Sequence, residues 1–392
     1  MVIDFLIKKM MELLNTLLAP IWQRIVSSSW GKRAAVLTLL TVITGLAALS
    51  GSLVESYHQV SRVVRVLHSY GPNIPIEADI VERIRSSASR ISKTLEQELS
   101  DLDKFDVDPI TTAQMVMGVG ANGTFDAIEA QQHIRQTRQS PCNCWQELPK
   151  SQGEPSIYVS GWILAALASL KTPATGGEVA FLLSEQNPRG WWSVFPVADQ
   201  AEFASTYGTA WALFGLQSQL DQHLVSGSDV SAVMSSVRRA SAWLLQNRED
   251  HGRWKDYPLS RDGVVAMGIS AVALHVLHRV DPEITSDLDA QWLDNLPSGV
   301  LSANALEAEY HWVYTKGGFQ VDAFEHITLP WVLVATVDAY GHGDLRQRVR
   351  ALAWLENNLQ QANISGIEPH YPPWWRAELL YAFRYILART GD

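Results

Sequence analysis

The chain has 392 residues and a net charge of −10, and 47% of its residues are hydrophobic while 18% are charged. This balance excludes a disordered chain, which needs few apolar residues and many charges. The acidic balance without a dense basic run is atypical of a nucleic-acid-binding protein. Two cysteines exclude a disulfide framework and the usual cysteine-rich zinc sites. Tryptophan is the compositional outlier, with 15 copies.

The first 54 residues predict two membrane-directed segments. Segment 1–33 carries apolar residues at helical spacing with charges between them, which predicts an amphipathic helix on a membrane surface or a partner. Segment 34–54 is uncharged over a length sufficient to cross a hydrocarbon core of about 30 Å. A buried helix and a cleaved signal sequence are the alternatives, but the long preceding segment is unlike a signal peptide. We expect a retained single transmembrane helix, followed by a connector over 55–75.

The charges that flank the predicted span indicate its orientation. Basic residues before it outnumber those that closely follow it: Lys8, Lys9, Arg24, Lys32 and Arg33 against Arg62 and Arg65. The positive-inside rule then places the N-terminus in the cytoplasm and the main domain outside. The margin is small, so the opposite orientation stays open.

Residues 76–392 are rich in predicted helices of two alternating kinds. Small-residue-rich apolar helices are predicted at 109–119, 156–170, 204–220, 262–280, 325–340 and 374–389. A more polar helix precedes each, at about 79–104, 124–138, 176–187, 229–247, 283–308 and 344–361, the fifth interrupted near 297–299. A helix that is apolar all round is buried, and an amphipathic one covers it. The pattern predicts an all-α (α/α)6 toroid with six inner and six outer helices.

The starts of the inner helices are expected to share one face, here named the N-terminal mouth. Asp108, Ser205 and Asp262 stand where N-caps are expected, and Pro109 fits the first helical position. A repeated Trp-x-x-apolar-Pro unit precedes the inner helices, beginning at Trp145, Trp192 and Trp254, with a weaker version at 370–375.

A glutamine ends the helix before each tryptophan unit, as in Gln186…Gly190-Trp191-Trp192 and Gln246…Gly252…Trp254. This pattern resembles the QW repeat of squalene–hopene and oxidosqualene cyclases. The toroid is shared with protein prenyltransferase β-subunits and complement-type thioester domains. The resemblance covers roughly 76–392 and implies that the tryptophans are chiefly structural, because in the cyclases the glutamine ties a helix end to a loop and the tryptophan stacks on it.

The catalytic groups of these families are missing. Class II cyclases protonate an alkene with a D-x-D-D motif, whereas this chain has no adjacent aspartate pair. The nearest match places Pro109 after Asp108, so we expect Asp108 to cap a helix. Absence of the pair also removes the D-D-x-x-D magnesium site of class I enzymes.

Prenyltransferase zinc is bound by Asp, Cys and His, but the cysteines here are only Cys142 and Cys144. Such a pair can bind metal or form a disulfide, and two ligands do not make a structural zinc site. We therefore expect neither a metal nor a cofactor.

Polar and aromatic residues near the expected mouth supply the remaining candidates. Asp322, Glu325 and His326 are candidate acid–base residues alongside Asp108, with Asp322 and His326 one helical turn apart if a helix begins there; a solvated acidic first turn is the alternative. Candidate ligand- or partner-binding residues are Trp192, Trp254, Tyr310, His311, Trp312, Glu202 and Asp262. The acids also suit a glycosidase-like carboxylate set.

The leading hypothesis is a membrane-anchored toroid without catalysis, which binds a partner protein or an apolar ligand at the N-terminal mouth. One alternative is an isoprenoid- or lipid-modifying enzyme of the terpenoid cyclase type, with Asp108 or the Asp322, Glu325 and His326 group as its acid. The other is a glycan-active (α/α)6 protein. An intact fold pattern beside missing catalytic groups favours the first.

Overall fold

The computed structural model describes residues 55, 57–67, 69, 73–102, 107–121, 123–146, 155–196, 200–227, 229–260, 263–301, 306–315, 318–362 and 371–390. The amphipathic segment 1–33 and the predicted span 34–54 lie outside these ranges. Within them, no helix has the length and apolar character needed to cross a membrane. The chain divides into a unit that ends at Val64 and a unit that begins at Arg65, and the second holds every element described below.

Twelve α-helices in the described part of the second unit alternate between an apolar and a more polar kind. They are α1 Ala78–Leu99, α2 Pro109–Val119, α3 Ala127–Gln136, α4 Ile157–Ser169, α5 Gly176–Glu185, α6 Thr206–Asp221, α7 Asp229–Gln246, α8 Met267–Val280, α9 Ser286–Asp294, α10 Leu329–Tyr340, α11 Leu345–Ala362 and α12 Pro373–Leu387. The even-numbered helices are the apolar ones.

The even-numbered helices form a closed inner ring. Each packs against the next along the chain, and α12 returns to pack against α2. The odd-numbered helices lie outside: α1 and α3 contact α2, α5 contacts α4, α7 contacts α6, and α9 and α11 contact α10. The α/α toroid expected from the sequence is therefore confirmed.

Burial explains why the two kinds of helix take these places. Every residue of α10 is buried, whereas α1 buries a stripe that includes Ile80, Ile84, Ile91 and Leu95. Small residues let inner helices approach closely: a Cβ atom on Gly161 of α4 would lie 2.2 Å from the Trp211 carbonyl oxygen of α6. An alanine at Gly161 therefore requires the two helices to move apart.

Two of the three expected N-caps are present. The side chain of Asp108 accepts from the backbone N–H of Thr111, and that of Ser205 accepts from Gly208. Asp262 lies outside the described residues, and the helix expected from 262 begins at Met267. Its first N–H groups donate instead to a distant carboxylate, since Glu307 accepts from Met267 at 2.9 Å and from Gly268 at 2.6 Å.

Glu307 belongs to a β-hairpin that the helix-based interpretation of 283–308 and 325–340 missed. The hairpin consists of β3 Leu306–Thr315 and β4 Gly318–Ile327. A separate short antiparallel pair is formed by β1 Trp254–Lys255 and β2 Val265–Ala266. Its register runs from Leu306 opposite Ile327 to Thr315 opposite Gly318. Aromatic and β-branched residues alternate with polar ones in both segments, which is a strand pattern.

Candidate functional site

The tryptophan of each repeat unit joins one outer helix to the next inner helix. The indole N–H donates to a carbonyl near the end of the preceding outer helix, and the backbone N–H donates to a hydroxyl on the following inner helix. The carbonyl acceptors are Ile134 for Trp145 (2.8 Å), Leu182 for Trp192 (2.7 Å) and Leu244 for Trp254 (2.8 Å). The hydroxyl acceptors are Ser160 (3.4 Å), Thr209 (3.0 Å) and Ser270 (2.9 Å), in the same order.

These contacts give the repeat a structural role. Trp192 and Trp254 have 0% of their surface exposed, so neither ring offers surface to a ligand or partner. Gln186 ties the same region together, because its amide nitrogen donates to the carbonyls of Gly190 and Ser236 at 3.0 Å each.

Asp108 uses both carboxylate oxygens as a cap. One accepts from the Thr111 N–H at 2.9 Å and the other from the Thr111 hydroxyl at 2.6 Å. Pro109 follows at the first helical position. The local geometry is that of a helix N-terminus, as the sequence analysis expected for this residue.

The other candidate residues expected at the N-terminal mouth do not have the spacing that a helix would give them. Asp322 and His326 lie on β4, where four residues span about 13 Å instead of one helical turn. His311 pairs in register with Asp322, and Glu325 pairs with Ala308. Tyr310 and Trp312 flank His311 on β3. Glu202 lies exposed on the 3₁₀ turn Ala201–Phe203.

Aromatic rings fill the middle of the inner ring. Trp162 of α4 stacks on Trp211 of α6 with a centroid distance of 3.8 Å, and Trp211 lies 5.1 Å from Trp331 of α10. Trp331 in turn lies 5.5 Å from Tyr381 of α12. Since these rings come from four inner helices and contact one another, they close the centre behind the N-terminal mouth.

A cavity of about 360 Å³ opens at the opposite face, where the inner helices end. We name it the C-terminal cavity. Its apolar wall consists of Met117, Ala165, Ala168 and Phe214, and its polar wall consists of Ser169, Ser218, Gln222, Arg279, Tyr381, Tyr385 and Arg389. A cavity in which apolar side chains and directed polar groups lie side by side can bind a small amphiphilic molecule.

A buried polar chain lies behind the tyrosines of this cavity. His275 Nδ1 lies 2.7 Å from Asp338 Oδ2, and His275 Nε2 lies 3.1 Å from the Tyr381 hydroxyl. The hydroxyl of Tyr385 donates to the other Asp338 oxygen. The side chains of His275 and Asp338 are 0% exposed, so these bonds join α8, α10 and α12 inside the ring.

The protonation states follow from burial and pairing. Burial lowers the pKa of His275, and Asp338 only partly opposes this. Burial raises the pKa of Asp338, but its pairing with the His275 imidazole outweighs burial, so the pKa is lowered overall. Burial raises the pKa of Tyr381 to about 12 and also raises that of Tyr385. At neutral pH Asp338 is ionised, His275 is neutral and both phenols keep their protons.

These states fix the direction of the hydrogen bonds. The Nδ1–H of His275 donates to the Asp338 carboxylate, and its bare Nε2 accepts from the Tyr381 O–H. Both phenolic hydrogens therefore point into the protein, while the phenol oxygens border the C-terminal cavity.

The two arginines of the cavity differ in their pairing. Arg279 forms an ion pair with Asp221 and donates to the Ser218 hydroxyl at 3.1 Å. Arg389 lies 5.0 Å above the Tyr385 ring and donates to its hydroxyl at 3.0 Å. Among the described residues, no carboxylate lies within 4.0 Å of the Arg389 guanidinium. Among the described residues, Arg389 thus brings a positive charge that pairs directly with no carboxylate, and the Tyr385 hydroxyl lies between it and Asp338.

None of these cavity residues was identified as a candidate from the sequence. His275, Asp338, Tyr381, Tyr385 and Arg389 are spread over more than 100 positions and form no local motif. One signal was present: His275 and Asp338 interrupt two otherwise apolar helices, and a charge buried in such a helix needs a partner.

The two cysteines, for which metal binding and a disulfide were both open, are paired with each other. Cys142 and Cys144 form a disulfide, with their Cα atoms 5.2 Å apart. In this state neither sulfur offers a thiolate to a metal ion.

Comparisons with known proteins find similarity in structure only. No protein-family model and no curated protein matches the chain. Among solved structures, a variant of the type II terpene cyclase MstE from Scytonema, in complex with the product merosterolic acid A, is similar with 11% identity and a TM-score of 0.45. The match covers 79% of this chain and 99% of that one. A likeness at this level says nothing about the activity of this chain.

Proposed function

We propose that the toroid binds a small acidic amphiphile in the C-terminal cavity without catalysing a reaction on it. The observation that carries this proposal is the position of Arg389, a cation without an acidic partner among the described residues, across from an apolar wall. A guanidinium pairs well with a carboxylate or phosphate, and burial of an apolar tail supplies further affinity. The non-catalytic binding of the leading hypothesis is kept, but the apolar ligand gains an acidic head group and the site moves from the N-terminal mouth to the opposite face.

The volume and lining support a small ligand. Ligand pockets commonly measure about 300–1,000 Å³, and the cavity falls near the lower limit. A short acyl chain against Met117 and Phe214 would place its head group toward the guanidinium of Arg389. The side-chain amide of Gln222 offers a further hydrogen bond to the head group.

The polar chain of Asp338, His275 and Tyr381 supports a second candidate, an enzyme that transfers a proton at the cavity wall. General acid–base catalysis works best when the pKa of the group lies near the working pH. The pKa of Tyr381 is raised to about 12 and the pKa of His275 is lowered, so the two values move away from that range in opposite directions. Binding is therefore favoured over acid–base turnover.

The affinity for octanoate tests the proposal. Arg389→Met should weaken octanoate binding to the purified full-length chain by about ten- to hundredfold, because a hydrogen bond to a charged group contributes about 1.5–3 kcal/mol. Arg346→Met, which alters an exposed arginine on α11, should bind octanoate as the wild type does. Calorimetric titration measures both, with octanol as the uncharged probe. Equal affinity for octanol and octanoate, or no loss in Arg389→Met, would contradict an acidic ligand.

We also propose that residues 34–54 anchor the chain in a membrane, with the toroid on the extracytoplasmic side. The uncharged length of this segment and the preceding basic residues support the proposal. The full-length chain should stay in the membrane fraction through high-salt washing and leave it in detergent. Release by salt alone would indicate surface binding instead of a span.

A further inference from the structure

A compact cluster of metal-ligating side chains lies beside the C-terminal cavity without lining it. Asp289 Oδ2 is 2.5 Å from Nδ1 of His342 and 3.6 Å from Nδ1 of His278. One possible ligand atom from each of the three residues lies within 4.8 Å of the other two. The residues come from the last turn of α8, from α9 and from the loop after α10, so the fold alone brings them together.

The aspartate of this cluster has an unsatisfied atom. Its side chain is 0% exposed, and its Oδ1 has no hydrogen-bond partner. The other oxygen, Oδ2, accepts from Thr285 Oγ1 at 3.1 Å as well as from His342. A buried carboxylate oxygen without a partner is costly, and an ion that both oxygens of Asp289 ligate would remove that cost.

We propose that His278, Asp289 and His342 bind one divalent transition-metal ion, zinc being the best fit. Two imidazole nitrogens and one carboxylate suit zinc, cobalt or nickel, whereas magnesium and calcium prefer oxygen ligands. Zinc binds nitrogen and carboxylate oxygen at about 2.0–2.2 Å, so its tetrahedral ligands lie about 3.3–3.6 Å apart. The 3.6 Å separation between His278 Nδ1 and Asp289 Oδ2 already matches this spacing, whereas His342 Nδ1 would have to move away from Asp289 Oδ2 to reach it. Water would complete the coordination.

The bound ion would link the outer helix α9 to the inner helices α8 and α10 at the face where the C-terminal cavity opens. His278 belongs to α8 and Asp289 to α9, and His342 follows the end of α10. Arg279, which lines the C-terminal cavity, is the residue after His278. Metal binding would therefore fix the backbone beside the cavity wall, and it would stabilise the folded chain by mass action.

The test titrates the full-length chain, purified without a polyhistidine tag and stripped with a chelator, with Co²⁺ and Zn²⁺. We expect one equivalent bound, a cobalt absorption band typical of four-coordinate nitrogen and oxygen ligands, and a higher melting temperature with zinc. His342→Ala should weaken binding at least about 100-fold, since loss of outer partners alone costs 10–100-fold. Asp289→Asn, which keeps the shape of the side chain, should weaken it similarly.

The matched control is His223→Ala, which removes an exposed histidine after α6 and should leave binding unchanged. The stripped His342→Ala protein should melt below the stripped wild type, because Asp289 loses a hydrogen bond, and zinc should raise its melting temperature less than it raises that of the wild type. Binding of less than one equivalent, or equal affinities in His342→Ala and His223→Ala, would overturn the proposal.

Discussion

Trp192→Ala is expected to lower the free energy of unfolding by about 3–5 kcal/mol, the usual cost of deleting a buried aromatic side chain. The ring is fully buried, and its N–H donates to the Leu182 carbonyl at the end of α5. Removing it leaves a cavity at the joint between an outer helix and the next inner helix. The same loss is expected for Trp254→Ala, whose indole bonds to Leu244. Chemical denaturation of each variant measures the effect.

Two controls separate packing from the hydrogen bond. Trp192→Phe keeps most of the ring and removes the N–H, so it should cost less than Trp192→Ala. Trp374→Ala, which truncates a half-buried ring at the start of α12, should also cost less. An unchanged melting temperature in Trp192→Ala or Trp254→Ala would contradict the structural role of the repeat.

Asp338→Ala is expected to destabilise the fold by a similar amount, about 3–5 kcal/mol. It leaves the His275 N–H and the Tyr385 O–H without partners in a dry interior, at about 1–3 kcal/mol each, and it adds a cavity. Asp338→Asn, which keeps an acceptor oxygen and the shape, should lose less. Adding Tyr385→Phe to Asp338→Ala should cost little more, because the bond is already broken.

The pH dependence of stability gives an independent readout of Asp338. Its pKa is lowered in the folded chain, so its contribution is present above the ordinary carboxyl pKa of about 4 and is lost as the pH falls through the lowered value. Asp338→Ala should therefore lose less stability than the wild type on acidification below about pH 4. Parallel acid unfolding curves, or a loss below 1 kcal/mol at neutral pH, would show that the polar chain does not hold the inner ring together.

The ring architecture was predictable because it rests on helix-scale patterns. The sequences of α4 and α10 are apolar on every side, which predicts buried helices, whereas the sequence of α1 has a single apolar stripe. The caps at Asp108 and Ser205 were readable for the same reason, since a capping residue acts within one turn of itself.

The hairpin was missed because its strands follow directly on helical patterns. Residues 306–308 and 325–327 were assigned to the ends of two helices and the residues between them to no element, although the alternation of aromatic and polar residues over 306–327 is a two-residue period. Because of this error, the candidate group of Asp322, Glu325 and His326 was expected at the start of a helix, whereas the three residues lie on β4. The cap that Glu307 provides at the start of α8 could not be predicted from the neighbouring sequence, because it depends on where the hairpin packs.

The candidate site could not be found from the spacing of its residues along the sequence. Arg389 follows the last inner helix, Phe214 lies in the third, and only closure of the ring brings them to one cavity. The His278, Asp289 and His342 cluster likewise joins positions far apart along the chain. Sequence motifs of the resembled families directed attention to the N-terminal mouth, whereas the aromatic rings close the centre there and the cavity opens at the other end.

The most direct measurement of the central claim is a crystal structure of the protein with octanoate. The account predicts the carboxylate within hydrogen-bond distance of Arg389 and the acyl chain against Phe214 and Ala165. Octanoate at the N-terminal mouth, or a C-terminal cavity without octanoate at a saturating concentration, would contradict it.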